Sequence, residues 1–329
     1  MPLSRRSLFA LNFSGRSRAA GAWLRVHRTS MACRFEISLP VTDTAHVDAA
    51  RKALEESDRV ETMLGTRGET SEAGRLNRHV GRVPIPTSPD FFALLQYCAQ
   101  LHDETSGAFD ITMGPIGRCR AAAQREGRQP TSAEIAAART LVGLDRVKLD
   151  ASAGSVTFLT DGAIVSFGAV GKGYAVDRMG QVLRAREVSH ALVSAGGSSV
   201  LAIGGRDKGW SVTVRSERPE RPLRLWLRDG ALGTSGSGGQ FVLLDGHRHG
   251  RVVDPRTGHE PRSVRAATVI TSDATTADAL STAFVVAGPE LARSYCDHHS
   301  GTLAILTMND AAGSTRVFGG YAGAHLAGW

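Results

Sequence analysis

Val147-Lys148-Leu149-Asp150-Ala151-Ser152-Ala153-Gly154-Ser155-Val156-Thr157-Phe158-Leu159 is the stretch in which the chain changes its period. Val147 and Leu149 flank a lysine, and Val156 to Leu159 is β-branched, aromatic and apolar. Ala153-Gly154 lies between the two runs, so the reading is a hairpin. Upstream the pattern is helical. An amphipathic helix is predicted over 46–64, with Val47, Ala50, Leu54 and Val60 close to helical spacing. A polar turn follows. Ser88 as N-cap and Pro89 at the first helical position open a second helix, which Gly107 ends. Thr131-Ser132-Ala133-Glu134 is a capping box that opens a third. Residues 23–39 read as extended chain. Downstream, strands are expected at 163–167, 191–194, 210–215, 223–227, 267–271 and 302–308. Helices are expected at 174–184, 275–287 and 289–299. Strands and helices mix without strict β-α-β alternation, so the fold class is α+β, with mixed, mainly antiparallel sheets.

Composition narrows the function. Apolar residues make up 42% and charged residues 22% of 329, as in an ordered protein. The net charge of +7 is local. Arg5, Arg6, Arg16, Arg18, Arg25 and Arg28 fall in the first thirty residues, which hold no acid, leaving about +1 for the rest. A basic arm without interleaved aromatics does not read nucleic acid, and no nucleic-acid partner is expected. Residues 1–22 are read as a disordered arm and 23–329 as one domain. Leu3-Ser4-Arg5-Arg6-Ser7-Leu8-Phe9 is similar to a twin-arginine export signal, but Ser14-Gly15-Arg16 interrupts the apolar stretch behind it. A cytoplasmic location is the favoured reading, export the minor one. No apolar run reaches transmembrane length, so no stable membrane insertion is expected. Cys33, Cys98, Cys119 and Cys296 are widely spaced and read as free thiols.

Five segments carry chemistry. Ser166-Phe167-Gly168-Ala169-Val170-Gly171-Lys172-Gly173-Tyr174-Ala175 runs from an apolar stretch through a glycine-rich turn into a helix. Such a turn can cradle an anion, with Lys172 as a point charge, or it is a tight strand-to-helix turn. Thr276-Ala277-Asp278-Ala279-Leu280-Ser281-Thr282-Ala283 puts Asp278 and Thr282 on one helix face. The pair is either a polar stripe or a pair of hard oxygen donors suited to Mg²⁺. The apolar neighbours favour burial, and a buried Asp needs a partner. Arg251-Val252-Val253-Asp254-Pro255-Arg256-Thr257-Gly258 is turn chemistry, with Asp254 as its cap. Gly107-Ala108-Phe109-Asp110-Ile111-Thr112-Met113-Gly114-Pro115 reads as a helix stop and a loop. Thr234-Ser235-Gly236-Ser237-Gly238-Gly239 reads as a flexible loop.

In this order the five segments resemble the FAD:protein FMN transferase (ApbE) family. So do Met31 in Ser30-Met31-Ala32-Cys33-Arg34-Phe35, Ser71-Glu72 with Leu76-Asn77, and Ala195-Gly196-Gly197. The resemblance runs from about Thr29 to Gly288, and its specificity lies in the ordered set. It implies a single α+β catalytic domain that binds FAD, as substrate, and Mg²⁺. It implies transfer of FMN to a Thr or Ser of an acceptor flavoprotein, with release of AMP. Residue by residue, it implies flavin-nucleotide contacts at Met31, Phe109, Asp110, Ser166, Lys172 and Val252. It implies a metal held by Asp278 and Thr282 with the backbone oxygen of Ala169, and catalysis at His249, Arg251 and Asp254.

Three positions depart from the family pattern. Ser166 stands where the family commonly has Asp, and Arg67 where it often has an aromatic residue. Arg251 stands where the family has the His linked to catalysis. Arginine cannot act as a base at accessible pH. His249 lies two residues earlier and would share a strand face with position 251. An FAD diphosphatase and a non-catalytic FAD-binding protein are therefore the alternatives to a transferase.

Overall fold

The computed structural model describes residues 23–66, 70–79, 82–205, 207–214, 223–236, 241–244, 247–250 and 252–327. In chain order it has β1 (Trp23–Ser30), β2 (Cys33–Pro40), α1 (Val47–Leu64), α2 (Glu72–Arg78), β3 (Ile85–Pro86), α3 (Pro89–Glu104), α4 (Gly114–Arg125) and α5 (Ser132–Arg139). Next come β4 (Val147–Asp150), β5 (Ser155–Phe158), α6 (Gly171–Ala185), β6 (Ala191–Ala195), β7 (Ser199–Ile203), β8 (Trp210–Val214), β9 (Leu223–Leu227) and β10 (Gly230–Gly236). The chain finishes with β11 (Phe241–Leu244), β12 (His247–Gly250), β13 (Val264–Thr271), α7 (Ala274–Ala287), α8 (Pro289–His298), β14 (Leu303–Met308), β15 (Thr315–Gly319) and β16 (Ala324–Ala327). The readings on residues 1–22, Arg67, Arg251 and 237–239 lie outside the described residues.

Among the described residues an eight-stranded sheet runs in the order β1-β2-β6-β7-β10-β13-β14-β15. Every pairing in it is antiparallel. Both of its faces are covered. Val193, Leu201, Val269 and Leu306 point into the larger core, which α1, α6 and α7 share. Leu192, Val200, Ile270 and Ile305, their sequence neighbours, point into a second core. There they meet Trp210, Val212, Leu225 and Leu227 of the small sheet β16-β9-β8. The inner strands β6, β7 and β14 are buried on both faces, need no polar alternation and read as largely apolar runs.

The expected helix starts are present. Ser88 accepts the N–H of Phe91. The Thr131–Glu134 capping box is formed in both directions. The hairpin over 147–158 is present as β4 and β5. The expected strand at 163–167 is not one. Its backbone groups are taken elsewhere: Asn77 brackets Val165, donating to its carbonyl at 2.8 Å and accepting its N–H at 2.8 Å. Ser166 N donates to Ile111 O at 2.6 Å, and Gly114 N to Ile164 O at 3.2 Å. The segment is apolar because it is buried, and a side-chain amide and a loop do the work of a ladder. The polar turn after α1 holds α2, and the loop after Gly107 holds the start of α4, with Pro115 in its first turn. Thr234–Gly236 belongs to β10, an inner strand, rather than to a loop.

Two glycines set the spacing of α7. A Cβ on Gly173 would lie 2.1 Å from Ala274 O and 2.8 Å from Asp278 Cβ. A Cβ on Gly233 would lie 2.2 Å from Ala277 O. Helix α7 therefore rests directly on the backbone of α6 and β10. Glycine to alanine within a helix ordinarily gains about 1 kcal/mol. For Gly173→Ala the sign reverses, because the methyl meets backbone that has nowhere to retreat. We expect a loss of about 1–3 kcal/mol or more, measured as a lowered denaturation midpoint. A stabilised Gly173→Ala protein would show that the contact relaxes.

Candidate functional site

The site is built where the starts of α6 and α7 meet. The first N–H groups of a helix have no partner within it, and here each helix supplies an acid for the other. Asp278 of α7 accepts the N–H of Gly173 in the first turn of α6 at 3.0 Å. Asp177 of α6 accepts the N–H groups of Ala274 and Thr275 at 2.8 Å each, and the Thr275 hydroxyl besides. Gly173 and Asp177 are four apart, so one face of α6 carries both contacts. Asp273, the N-cap of α7, takes Thr276 N at 2.8 Å and Thr276 Oγ1 at 2.6 Å, and Tyr97 of α3 shares that hydroxyl.

Asp177 is a structural acid that sequence reading missed. Burial pushes its pKa up to about 6, against the lowering effect of its Thr275 and backbone donors. An acid whose pKa is raised by folding holds its proton more tightly in the folded chain. Its contribution is most favourable below the ordinary value of 3.8 and is lost as pH rises through about 6. Asp177→Asn removes the titrating group, so the fall in stability between those pH values should flatten in the variant. Melting curves from pH 4 to 7 measure this; an unaltered slope would assign the titration to other groups.

Asp278 is 3% exposed, yet its second oxygen faces the ammonium of Lys172 at 3.5 Å. Thr282, one turn along α7, is half-buried. Its hydroxyl lies 3.4 Å from Ser235 Oγ of β10 and 3.5 Å from the carbonyl of Asp278. Ala169 stands in the turn ahead of α6, half-buried against the larger core. Asp278 and Thr282 are thus neighbours along α7, and Asp278 meets the 166–175 turn at Gly173 and Lys172. Among the described residues no group of three or more His, Cys, Asp and Glu is gathered as for a metal. The donor set here is one carboxylate with hydroxyls. That chemistry fits Mg²⁺, which takes few protein oxygens and completes its shell with water and phosphate.

Met31 reaches the same place from the β1–β2 turn. Met31 and Ala32 have φ of 49° and 56°, a left-handed pair of the kind that closes a two-residue hairpin. Non-glycine residues hold that conformation only under constraint. Its effect is to lay the Met31 methyl against Gly171 at the start of α6, where a Cβ on the glycine would be 3.0 Å away. Cys33 follows beside Gly196, and burial pushes its thiol up to about 11, so it is a packed thiol and not a nucleophile.

The 107–115 segment borders this junction through Ser166 and Ile111. Phe109 is 1% exposed and packs in the larger core. The expected ligand contact at Phe109 is thereby limited to its backbone, whose carbonyl meets His102 Nδ1 at 3.1 Å. Asp110 accepts from Thr112 N and Thr112 Oγ1, both at 2.6 Å, and lies 3.4 Å from His102 Nδ1. Burial raises its pKa.

Val252 packs against the larger core, and Val253 against Ile116 and Ile135 of α4 and α5. Asp254, expected among the catalytic residues, has its carboxylate committed to the loop. It accepts from Arg256 N, Nε and Nη2, each at 2.9 Å. Its backbone takes Gly258 N at 2.7 Å. The turn reading of this segment is the one its geometry supports. His249 lies in β12 opposite Val242. The residue after it, Gly250, is clamped at both backbone groups. Glu260 accepts its N–H at 3.2 Å, Arg120 of α4 donates to its carbonyl at 3.3 Å, and Arg120 and Glu260 pair at 2.6 Å. No spacing rule in the sequence marks that pair.

A glycine-rich helix start, an ammonium, a buried carboxylate and a hydroxyl thus stand on an antiparallel α+β scaffold. The ApbE family model matches residues 31–307, and the chain belongs to the ApbE family. It is 28% identical over 274 residues to the FAD:protein FMN transferase of Klebsiella pneumoniae (strain 342), covering 80% of this chain and 78% of that one. It is 26% identical over 263 residues to the Haemophilus influenzae protein of the same name, with 76% of each covered. The crystal structure of the ApbE protein from Thermotoga maritima superposes with a TM-score of 0.81 at 26% identity, over 90% of this chain and 97% of that one. The α+β fold expected from the sequence is the fold of that structure.

Proposed function

We propose that this chain is an FAD:protein FMN transferase: it moves FMN from FAD to a Ser or Thr hydroxyl of an acceptor protein and releases AMP, with Mg²⁺ at the diphosphate. The observation that carries the reading is the convergence of Asp278, Lys172 and the Gly171–Gly173 helix start on one place, with Thr282 one turn along α7 from Asp278. The acceptor oxygen forms a bond to the FMN phosphorus, the bond from that phosphorus to the AMP oxygen breaks, and the hydroxyl proton passes to a base. Mg²⁺, held by Asp278, Thr282 and a backbone oxygen at Ala169, would supply Lewis-acid stabilisation. This chain's own part is orientation and charge. Lys172 and the start of α6 neutralise phosphate oxygens. The Asp177 and Asp273 caps and the close approach at Gly173 fix Asp278 against them. Phosphoryl transfer needs such positioning more than covalent help.

Arg251 in place of the family's histidine favours a second reading, in which water is the acceptor and the products are AMP and free FMN. One experiment separates the two. The protein is incubated with FAD, Mg²⁺ and a cell extract, AMP is assayed, and flavin fluorescence is read in a denaturing gel. Fluorescent protein with AMP supports the transferase. AMP with free FMN alone supports the diphosphatase. Neither product would leave an FAD-binding protein without catalysis.

A further inference from the structure

Gly233 and Ser235 are two apart on β10 and so face the same side of the strand. That side is α7. Gly233 meets the backbone of Ala277, and Ser235 Oγ meets Thr282 Oγ1 at 3.4 Å. Two strand residues advance about 6.7 Å, and the four from Asp278 to Thr282 about 6 Å. Strand and helix therefore keep step, and Ser235 arrives beside the hydroxyl of Thr282. The strand is pinned up to that point. Thr234 N donates to Ser198 O at 2.7 Å, and Thr234 Oγ1 meets Thr268 Oγ1 at 3.3 Å on the opposite face. Ser235 itself is half-buried, like Thr282 and Lys172.

A hydroxyl that turns its lone pair toward a cation has to place its proton elsewhere. Thr282 has two acceptors in reach, Ser235 Oγ and the carbonyl of Asp278. That carbonyl already receives the Ser281 hydroxyl at 2.8 Å, and it stands where the helix makes its own i→i+4 bond. Ser235 is the acceptor with capacity left. Having accepted, it still carries a proton of its own, and a phosphate oxygen in the same site is a strong acceptor for it.

We propose that Ser235 is a further residue of the diphosphate–metal site: it takes the proton of Thr282, which holds that hydroxyl's lone pair toward the cation, and gives its own proton to a phosphate oxygen of FAD. The proposal rests on the Mg²⁺–FAD reading of the site. Its test is calorimetric titration of the full chain with FAD, once with Mg²⁺ and once with a chelator, for Ser235→Ala, Ser235→Thr and Asp278→Asn. Ser235→Ala should weaken FAD binding about tenfold in Mg²⁺, the scale of one hydrogen bond to a charged group. It should also raise the Mg²⁺ concentration needed for half-maximal binding. The change in chelator should be smaller, and Ser235→Thr, which keeps the hydroxyl, should stay near the parent. Melting temperatures near the parent's show that the fold is intact. Equal losses for Ala and Thr, or a parental Mg²⁺ dependence in Ser235→Ala, would overturn the proposal. If Asp278→Asn loses the Mg²⁺ effect while Ser235→Ala keeps it, Ser235 alone is dismissed. If Asp278→Asn keeps it too, the site reading fails first.

Discussion

Asp278→Asn will release AMP from FAD some ~10²–10³-fold more slowly than the parent, the scale on which one fixed electrostatic stabiliser acts in a reaction that develops charge. The dependence on Mg²⁺ will flatten with it. Two roles meet in this side chain, and the choice of variant separates them. One oxygen accepts the N–H of Gly173 and joins two helices; the other faces Lys172 at 3.5 Å. Asp278→Ala removes both roles and leaves a buried N–H without its partner, at about 1–3 kcal/mol. Asp278→Asn keeps an oxygen for Gly173 and removes the charge that a hard cation requires, together with the oxygen that faces Lys172. A melting temperature near the parent's, with AMP release measured across a Mg²⁺ series, isolates the metal role. An Asn variant that releases AMP at the parental rate with parental Mg²⁺ dependence would make Asp278 an interhelical cap and nothing more.

The parts of the fold legible in the sequence are those whose signals are local. Ser88, the Thr131–Glu134 box and the Ala153-Gly154 hairpin each act within a few residues, and each is present. Two of the strands that escaped notice are inner ones, missed alongside the outer strands β3, β15 and β16 and the ribbon β11-β12. Ser199–Ile203 is buried on both faces, so nothing alternates. Gly230–Gly236 contains Gly233, which reads as flexibility when isolated and is needed because the backbone of α7 lies on it. The segment at 163–167 failed in the opposite sense: it has a strand's apolarity but satisfies its backbone through Asn77, 88 residues away in sequence. The site divides in the same way. Asp278 and Thr282 could be paired from helical spacing, and the glycine turn from its composition. That Asp278 accepts from Gly173, that Asp177 caps α7 and that Arg120 and Glu260 clamp Gly250 are long-range facts. Phe109 is buried in the larger core, and the carboxylate of Asp254 bonds within its own loop.

Arg251→His should accelerate flavin transfer, by as much as ~10²–10⁴-fold if proton abstraction from the acceptor hydroxyl limits the parent, since that is the usual worth of a positioned general base. Arginine stays charged throughout the accessible pH range and offers five donors with no acceptor. It can bind a phosphate but cannot take a proton from a serine or threonine. Histidine titrates near neutrality and can. In the parent, the proton must therefore leave by another route, and His249 on β12 is the nearest residue in sequence with the right chemistry. Its removal in His249→Ala should slow the parent and matter little once Arg251→His is in place. The competing account makes Arg251 a bidentate clamp on the FAD diphosphate. Under that account Arg251→His weakens FAD binding and brings no gain in rate. FAD affinity by calorimetry, and AMP release with acceptor present, measured on the same four proteins, distinguish the accounts because they move different quantities. The pH profile adds a third reading. A histidine base gives Arg251→His a rate that rises with pH through the ordinary imidazole range near 6.5 and then levels. A rate for Arg251→His at or below the parent's, with unchanged affinity and no such rise, would mean that position 251 neither supplies the base nor binds the substrate.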